Sequence, residues 1–93
     1  MEVTRINEFQ ASEGKSGDLH DFLKSLLPYI NSSQGCISCE VLQNNDDSSI
    51  FAVIEKWESI EDHKKSIEGF PAEDMQSAMS LFSSPPKGTY YKT

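Results

Sequence analysis

The chain has 93 residues, 15 acidic and 8 basic, which give a formal net charge of −7. This charge argues against nucleic acid or an anionic membrane surface as a partner, because both bind basic patches. With 37% hydrophobic residues, the composition is typical of a packed protein rather than a disordered one. A chain of this length forms one domain, residues 1–93, and buries only about 60–65% of its unfolded surface. Dimerisation would enlarge that small core.

The sequence lacks the segments that send a chain into or across a membrane. No apolar run approaches the roughly 18–20 residues of a membrane span. The N-terminal residues MEVTRINEF lack the charged and then apolar layout of a secretory signal. Two cysteines in such a chain indicate free thiols in a reducing compartment. We therefore expect a cytoplasmic protein.

The first two predicted elements are a strand over residues 3–10 and a helix over about residues 17–30. On the strand, one face carries Val3, Arg5, Asn7 and Phe9. The helix follows a loop rich in Gly and Ser and has the clearest periodicity in the chain. Its apolar stripe contains Leu19, Phe22, Leu23, Leu26, Leu27 and Ile30. Pro28 is expected to kink or tighten its last turn, and Gly35 to allow the chain to reverse.

Two strands follow, over residues 36–43 and 50–57, and the turn-forming stretch NNDDSS joins them. The second of these strands carries apolar residues on both faces, which is typical of a strand covered on both sides. One layer of helices covers only one face. A partner subunit is the economical candidate to cover the other.

A second helix is predicted from Glu58 or Ser59, because Ser59 and Asp62 have the spacing of a capping box. Its inward stripe contains Ile60, His63 and Ile67. A short third helix with Met75, Ala78, Met79 and Phe82 on one side and a last strand over residues 88–93 complete the chain. The order predicts an α+β, ferredoxin-like β-α-β-β-α-β fold. Its four-stranded antiparallel sheet has the first and third strands in the middle.

Cys36 and Cys39 form a C-x-x-C motif, which raises the question of a redox dithiol or a metal site. Residues three apart on a regular strand point to opposite faces, about 10 Å apart at roughly 3.3 Å per residue. That separation exceeds the approximately 7 Å limit for a disulfide. A zinc site would need a second pair of ligands. We therefore expect two small buried hydrophobic side chains.

Several segments together resemble a known family. They are INEFQA at residues 6–11, GCISCE at 35–40, FAVIEKWES at 51–59, His63 with Ser66, and PPKGTYY at 85–91. In this combination the chain resembles the antibiotic biosynthesis monooxygenase (ABM) family. The resemblance implies a dimeric α/β barrel with a pocket in each subunit. It also implies oxygenation of phenolic, quinol or polyketide-like aromatics by O2 without metal, flavin or haem. The haem-degrading branch is disfavoured, because residues 72–80 contain no histidine.

Four residues are candidates for the catalytic site. Asn7 is an amide in a central strand and could bind a substrate carbonyl or oxyanion, or make a structural hydrogen bond. Glu55 could act as a base in a closed pocket, although a structural ion pair with Arg5 or with the partner subunit is favoured. The resemblance implies that Trp57 lines the pocket, and core packing is the alternative. His63, on the inward stripe, is the leading candidate for the general base, against a packed structural histidine.

The leading functional hypothesis is a monooxygenase, without a cofactor, that acts on a small aromatic and O2 as a homodimer. His63, with Glu55, would remove a proton from the substrate, and Asn7 with Trp57 would orient it. Two alternatives stay open. One is an isomerase of a small carbonyl compound that uses the same base without oxygen. The other is a ligand-binding or stress-associated dimer without catalysis.

Overall fold

The computed structural model describes residues 2–93 and contains four strands and four α-helices. In chain order these are β1 Val3–Gln10, α1 Ser16–Ser25, α2 Leu27–Ser32, β2 Cys36–Gln43, β3 Ile50–Trp57, α3 Ile60–Gly69, α4 Ala72–Ala78 and β4 Lys87–Tyr91. A short 3-10 turn, Met79–Leu81, follows α4. No helix within residues 2–93 is long and apolar enough to span a membrane.

The four strands form one antiparallel sheet in the order β2-β3-β1-β4. The central pair is β1 and β3, and their register places Val3 opposite Trp57 and Arg5 opposite Glu55. On its other side Arg5 lies opposite Tyr90 of β4. The predicted α+β, ferredoxin-like arrangement is confirmed. It brings the polar residues of β1 between those of β3 and β4.

The first predicted helix is divided in two at Leu26. Its first part ends at Ser25, and α2 begins at Leu27 and continues to Ser32, beyond the predicted end at Ile30. Pro28 lies in the first turn of α2. A proline there has no N–H to donate and is tolerated only where the helix begins, so the chain starts a new helix instead of continuing α1.

The start of α3 agrees with the capping prediction. Ser59 is the N-cap, and its hydroxyl oxygen accepts a hydrogen bond from the backbone N–H of Asp62 at 3.1 Å. Gly35 faces this turn with a φ of 85°, and a Cβ at that position would overlap the Asp62 side chain. Glycine therefore serves two needs here, the left-handed backbone and the close approach. Together these contacts fix α3, and with it His63, against the sheet.

The helices cover one face of the sheet, and the hydrophobic core lies between them. Its buried cluster comprises Ala11, Leu19, Leu23, Phe51 and Val53. In the third predicted helix, only part of the apolar stripe packs inward. Ala78 is 3% exposed, whereas Met75 is 41% and Met79 63% exposed.

The opposite face of the sheet is not covered by any element within residues 2–93. In the central strands this face carries Ile6, Ala52 and Ile54, which are half-buried by their neighbours alone. On the edge strands it carries Leu42, 44% exposed, and Tyr91, 55% exposed. We call this surface the open face. The expectation of apolar residues on both faces of β3 is correct, and the second face has no cover within the chain.

The expected arrangement of the two cysteines is wrong. A β-bulge between Cys36 and Ser38 shifts the register of β2, so that Cys36 pairs with Trp57 and Cys39 with Glu55. Because those partners are two residues apart on β3, both cysteines lie on the helix-covered face. Burial raises the pKa of both thiols, and that of Cys39 to about 12, with the negative charge of Glu55 adding to the effect. Both are free, protonated thiols, and both are half-buried rather than buried as expected.

Candidate active site

A cavity of about 240 Å³ lies between the covered face of the sheet and the helices. Most of its wall is apolar and includes Phe9, Leu23, Leu26, Ile30, Val53 and Phe70. Its polar end is formed by Arg5, Asn7, Glu55 and His63. An apolar chamber with a few polar groups at one end is the usual form of a small-molecule site.

Glu55 is the centre of the polar end. It is 4% exposed, and both of its carboxylate oxygens accept hydrogen bonds. Oε1 accepts from the indole Nε1–H of Trp57 at 2.9 Å, and Oε2 accepts from Nδ2 of Asn7 at 3.0 Å. The central position of β3 in the sheet and its helix-covered face account for this burial. A buried carboxylate is tolerated only with such partners.

Asn7 links Glu55 to Arg5. The Nε–H of Arg5 donates to Oδ1 of Asn7 at 3.0 Å, while Nδ2 of Asn7 donates to Glu55. Since guanidinium only donates and an ionised carboxylate only accepts, this order fixes the orientation of the amide. The favoured direct ion pair between Glu55 and Arg5 is therefore not what forms. The Asn7 amide lies between the two charged groups and is hydrogen-bonded to both.

The environment of Glu55 shifts its proton affinity. Burial raises the pKa of the Glu55 carboxyl above its usual value. The Trp57 hydrogen bond, the positive charge of Arg5 and the Asn7 hydrogen bond each counteract part of that effect. Glu55 is consequently a stronger base than an exposed glutamate, and it faces a cavity in which a ligand could lie.

His63 is 4% exposed on α3 and is held between two aromatic rings. Its ring centroid lies 5.4 Å from that of Trp57 and 5.4 Å from that of Tyr90. The Nδ1 atom is 2.6 Å from the hydroxyl oxygen of Tyr90, and Nε2 is 3.8 Å from Oε1 of Glu55. The first contact is a hydrogen bond, and the second is too long to be one.

His63 is neutral at physiological pH. Burial, and to a lesser extent the positive charge of Arg5, lower its pKa to about 4. The approach of Nε2 to Glu55 is therefore not an ion pair. A neutral imidazole whose conjugate acid is this strong accepts protons poorly near pH 7. Burial thus raises the pKa of Glu55 and lowers that of His63, so Glu55 is the better placed of the two to act as a base.

Trp57 differs from its expected position. It is fully buried, at 0% exposure, and is not among the residues that line the cavity. The side chain lies beside Glu55, to which it donates its hydrogen bond. At the end of a central strand, packed against His63 of α3, the indole cannot reach the cavity. Trp57 therefore holds the Glu55 carboxylate through a hydrogen bond without lining the cavity.

Three of the predicted residues, Asn7, Glu55 and His63, meet at the cavity, and Trp57 contacts two of them. Sequence reasoning missed Tyr90 as the partner of His63. The register that pairs Tyr90 with Arg5 across β1 and β4, which places Tyr90 on the covered face, is known only from the structure. Within residues 2–93, no group of three or more His, Cys, Asp or Glu side chains could hold a metal ion.

Comparison with known protein families identifies the family of this chain. The sequence profile of the antibiotic biosynthesis monooxygenase family matches residues 2–69, which include the strands and the helix that carry Arg5, Asn7, Glu55 and His63. The chain belongs to the ABM family. A comparison with curated proteins finds no match for this ABM chain.

Solved structures agree with the fold of the ABM chain. A conserved protein from Methanosarcina mazei has a TM-score of 0.89 at 17% identity, covering 99% of this chain and 92% of that one. A Nitrosomonas europaea protein of unknown function has 0.84 at 26% identity, with 97% and 86% covered. A mutant of SnoaB, a cofactor-independent oxygenase from Streptomyces nogalater, has 0.83 at 14% identity, with 99% and 92% covered. At these identities the likeness establishes the fold, and the chemistry must come from the site itself.

Proposed function

We propose that this ABM chain is a cofactor-independent monooxygenase that oxidises a small phenol or quinol with O2. The observation that supports it best is the buried carboxylate of Glu55 at the polar end of an apolar cavity. Family membership and the cofactor-independent oxygenase SnoaB, which has the same fold, point in the same direction. A carboxylate of raised pKa in a water-poor chamber is suited to removing a phenolic proton.

In the proposed reaction, Glu55 takes the proton of the substrate hydroxyl, breaking its O–H bond and forming one on the carboxyl. The phenolate passes an electron to O2, and the two radicals combine into a peroxide at a ring carbon. Glu55 returns its proton to the peroxide and then removes the C–H proton as the O–O bond breaks, and the departing hydroxide takes that proton from Glu55 and leaves as water. One phenol and one O2 give one quinone and one water, and the substrate supplies all four electrons. The side chains of Asn7, Trp57 and His63 hold Glu55 and close the site around it.

Oxygen uptake tests the proposal directly. The panel would contain dihydroxynaphthalenes and single-ring quinols, with three-ring anthrones to test size. We expect consumption of one O2 per quinone formed, faster than autoxidation and faster than with heat-denatured protein. Because the cavity of about 240 Å³ lies below the roughly 300–1,000 Å³ of drug-sized pockets, one- and two-ring substrates should be preferred. If the native protein accelerates no member of the panel, or if isomerisation proceeds equally without oxygen, the proposal is wrong.

We also propose that the active form is a homodimer in which two open faces pack against each other. Support comes from the half-buried Ile6 and Ile54 at the centre of that surface and the exposed Leu42 at its side. Apolar side chains grouped on one exposed surface often mark a contact site. The two free thiols fit the expected reducing cytoplasm, which stays a prediction.

Sedimentation at micromolar concentration tests the dimer. We expect the mass of two chains for the native protein and of one chain for Ile54→Glu, because a charge at the centre of the contact is costly to bury. Met79→Glu places the same charge at a side chain that is 63% exposed and away from the open face, and should remain dimeric. A native protein that sediments as a stable monomer would contradict the proposal.

A further inference from the structure

Arg5 is the one Lys or Arg side chain, within residues 2–93, that lines the cavity. Its Nε–H is occupied by Asn7, at 3.0 Å. For its two terminal nitrogens, no described residue acts as acceptor, either in a hydrogen bond or in a salt bridge. Arg5 thus brings a positive charge and free N–H donors to the same end of the cavity as Glu55.

The position of this guanidinium is fixed by β4. Its central carbon lies 4.6 Å from the centroid of the Tyr90 ring, a cation–π contact. Gly88, also on β4, lies opposite Asn7 of β1. A Cβ at Gly88 would overlap both the Arg5 guanidinium and the side-chain carbonyl oxygen of Asn7. Only glycine leaves room for the two side chains to lie across the strand. The Arg5 guanidinium therefore occupies the space left by Gly88 and packs against the ring of Tyr90.

Arg5 is not engaged in a direct ion pair with Glu55. The two residues are directly opposite each other on neighbouring strands, yet Asn7 separates them and no ion pair forms. When a phenol gives its proton to Glu55, the negative charge moves from the carboxylate to the substrate oxygen. Arg5 can be the counterion both before and after that transfer. Asn7 cannot fill this role, because its carbonyl and an N–H are already engaged.

We propose that Arg5 is the anion-binding residue of this site and that the ligand is a one- or two-ring phenol bound as its phenolate. The oxygen of the ligand meets the terminal N–H groups of Arg5, and the ring occupies the apolar part of the cavity. The inference rests on the proposed function, since it assigns the substrate class of the same site. A guanidinium is well suited to an oxyanion because it is always charged and donates several hydrogen bonds in one plane.

Titration of bound 4-nitrophenol tests this assignment without turnover. Its phenolate absorbs visible light and its neutral form does not, so the pKa of the bound ligand can be measured directly. We expect the native protein to lower that pKa by about one unit, which is a tenfold gain in phenolate over phenol. Arg5→Met should abolish the shift, and Arg5→Lys should keep part of it. Gly88→Ala, which displaces the guanidinium but retains its charge, should reduce it.

Two controls separate charge from structure. Lys15→Met removes an exposed cation that pairs with Asp18 at 3.9 Å on the surface, and it should leave the shift unchanged. The methyl ether 4-nitroanisole cannot ionise, so it should bind the native protein and Arg5→Met with similar affinity if the cavity is intact. Weaker 4-nitroanisole binding by Arg5→Met would mean that this variant has a damaged cavity. The pKa shifts of bound 4-nitrophenol in Arg5→Lys and Gly88→Ala would then decide whether Arg5 binds the phenolate.

An unshifted pKa with the native protein, or an equal shift in all three Arg5 and Gly88 variants, would overturn the assignment. The outcome is distinguishable from failure of the oxygenase proposal. A pKa shift without oxygen uptake would retain the phenolate site and reject the oxidation. Oxygen uptake with an unshifted pKa would retain the oxidation and reject Arg5 as the anion-binding residue.

Discussion

Replacing Glu55 by glutamine should lower the turnover number for oxygen consumption at least about 100-fold, because general-base catalysis contributes about 10² to 10⁴ in rate. An amide of the same size cannot take up the phenolic proton. Glu55→Asp keeps a carboxylate but retracts it from the cavity, so it should retain more activity than Glu55→Gln. The measurement is kcat with an oxygen electrode on the best substrate of the panel.

The same substitution should also cost stability. Trp57 and Asn7 both donate to the carboxylate, and Arg5 fixes the amide of Asn7 so that it cannot turn around. The NH2 group of a glutamine at position 55 would therefore face one of these donors, at a cost of about 1–3 kcal/mol. Thermal unfolding identifies the folded fraction against which kcat is normalised. Glu68→Gln, at an exposed carboxylate of α3, is the matched control and should change neither quantity. A Glu55→Gln protein that keeps kcat within a few-fold would exclude Glu55 as the base.

Acidification should destabilise the protein through His63. In the folded chain the pKa of His63 is about 4, below its ordinary value of 6.5. As the pH falls below 6.5, the unfolded chain binds a proton that the folded chain does not yet bind, so the free energy of unfolding decreases. The loss develops between pH 6.5 and 4. At about 1.4 kcal/mol per pKa unit, less the screening by solvent in the cavity, we expect about 2 kcal/mol.

Urea unfolding at a series of pH values measures this loss. The slope should be smaller in His63→Gln, which removes the titrating group, and unchanged in His20→Gln, which removes the other histidine of the chain. Glu55 acts in the opposite direction. Its pKa is raised on folding, so the folded chain takes up that proton first and gains stability as the pH falls. Equal slopes in the native protein and His63→Gln would show that burial does not keep His63 neutral.

The fold could be predicted because its signals are local and mutually consistent. The stripe at Leu19 and Leu23, the cap at Ser59 and the turn between β2 and β3 each define one element without help from the others. The side of each residue on β1 and β3 followed from simple alternation. The break at Leu26 was visible only as a proline whose effect depends on its position in the turn.

Two of the differences from expectation, the faces of the cysteines and the relative basicity of His63 and Glu55, have a physical cause that sequence patterns do not contain. Cys36 and Cys39 were placed on opposite faces because a regular strand alternates, and nothing in GCISCE marks the extra residue of a bulge. The roles of His63 and Glu55 were ranked by their ordinary pKa values. Burial reversed that ranking, and burial depends on how α3 sits over the sheet.

The bulge in β2 has a further consequence, because β2 is an edge strand. An edge strand offers a row of free N–H and C=O groups to which a strand of another chain could pair. Repeated pairing of this kind would add chain after chain and form a fibre. The extra residue at Ile37, 51% exposed, interrupts that row and bends the strand at its start. Open-ended growth along the sheet is thereby disfavoured. The open face, through which we propose that two copies associate, gives a contact that closes after two copies.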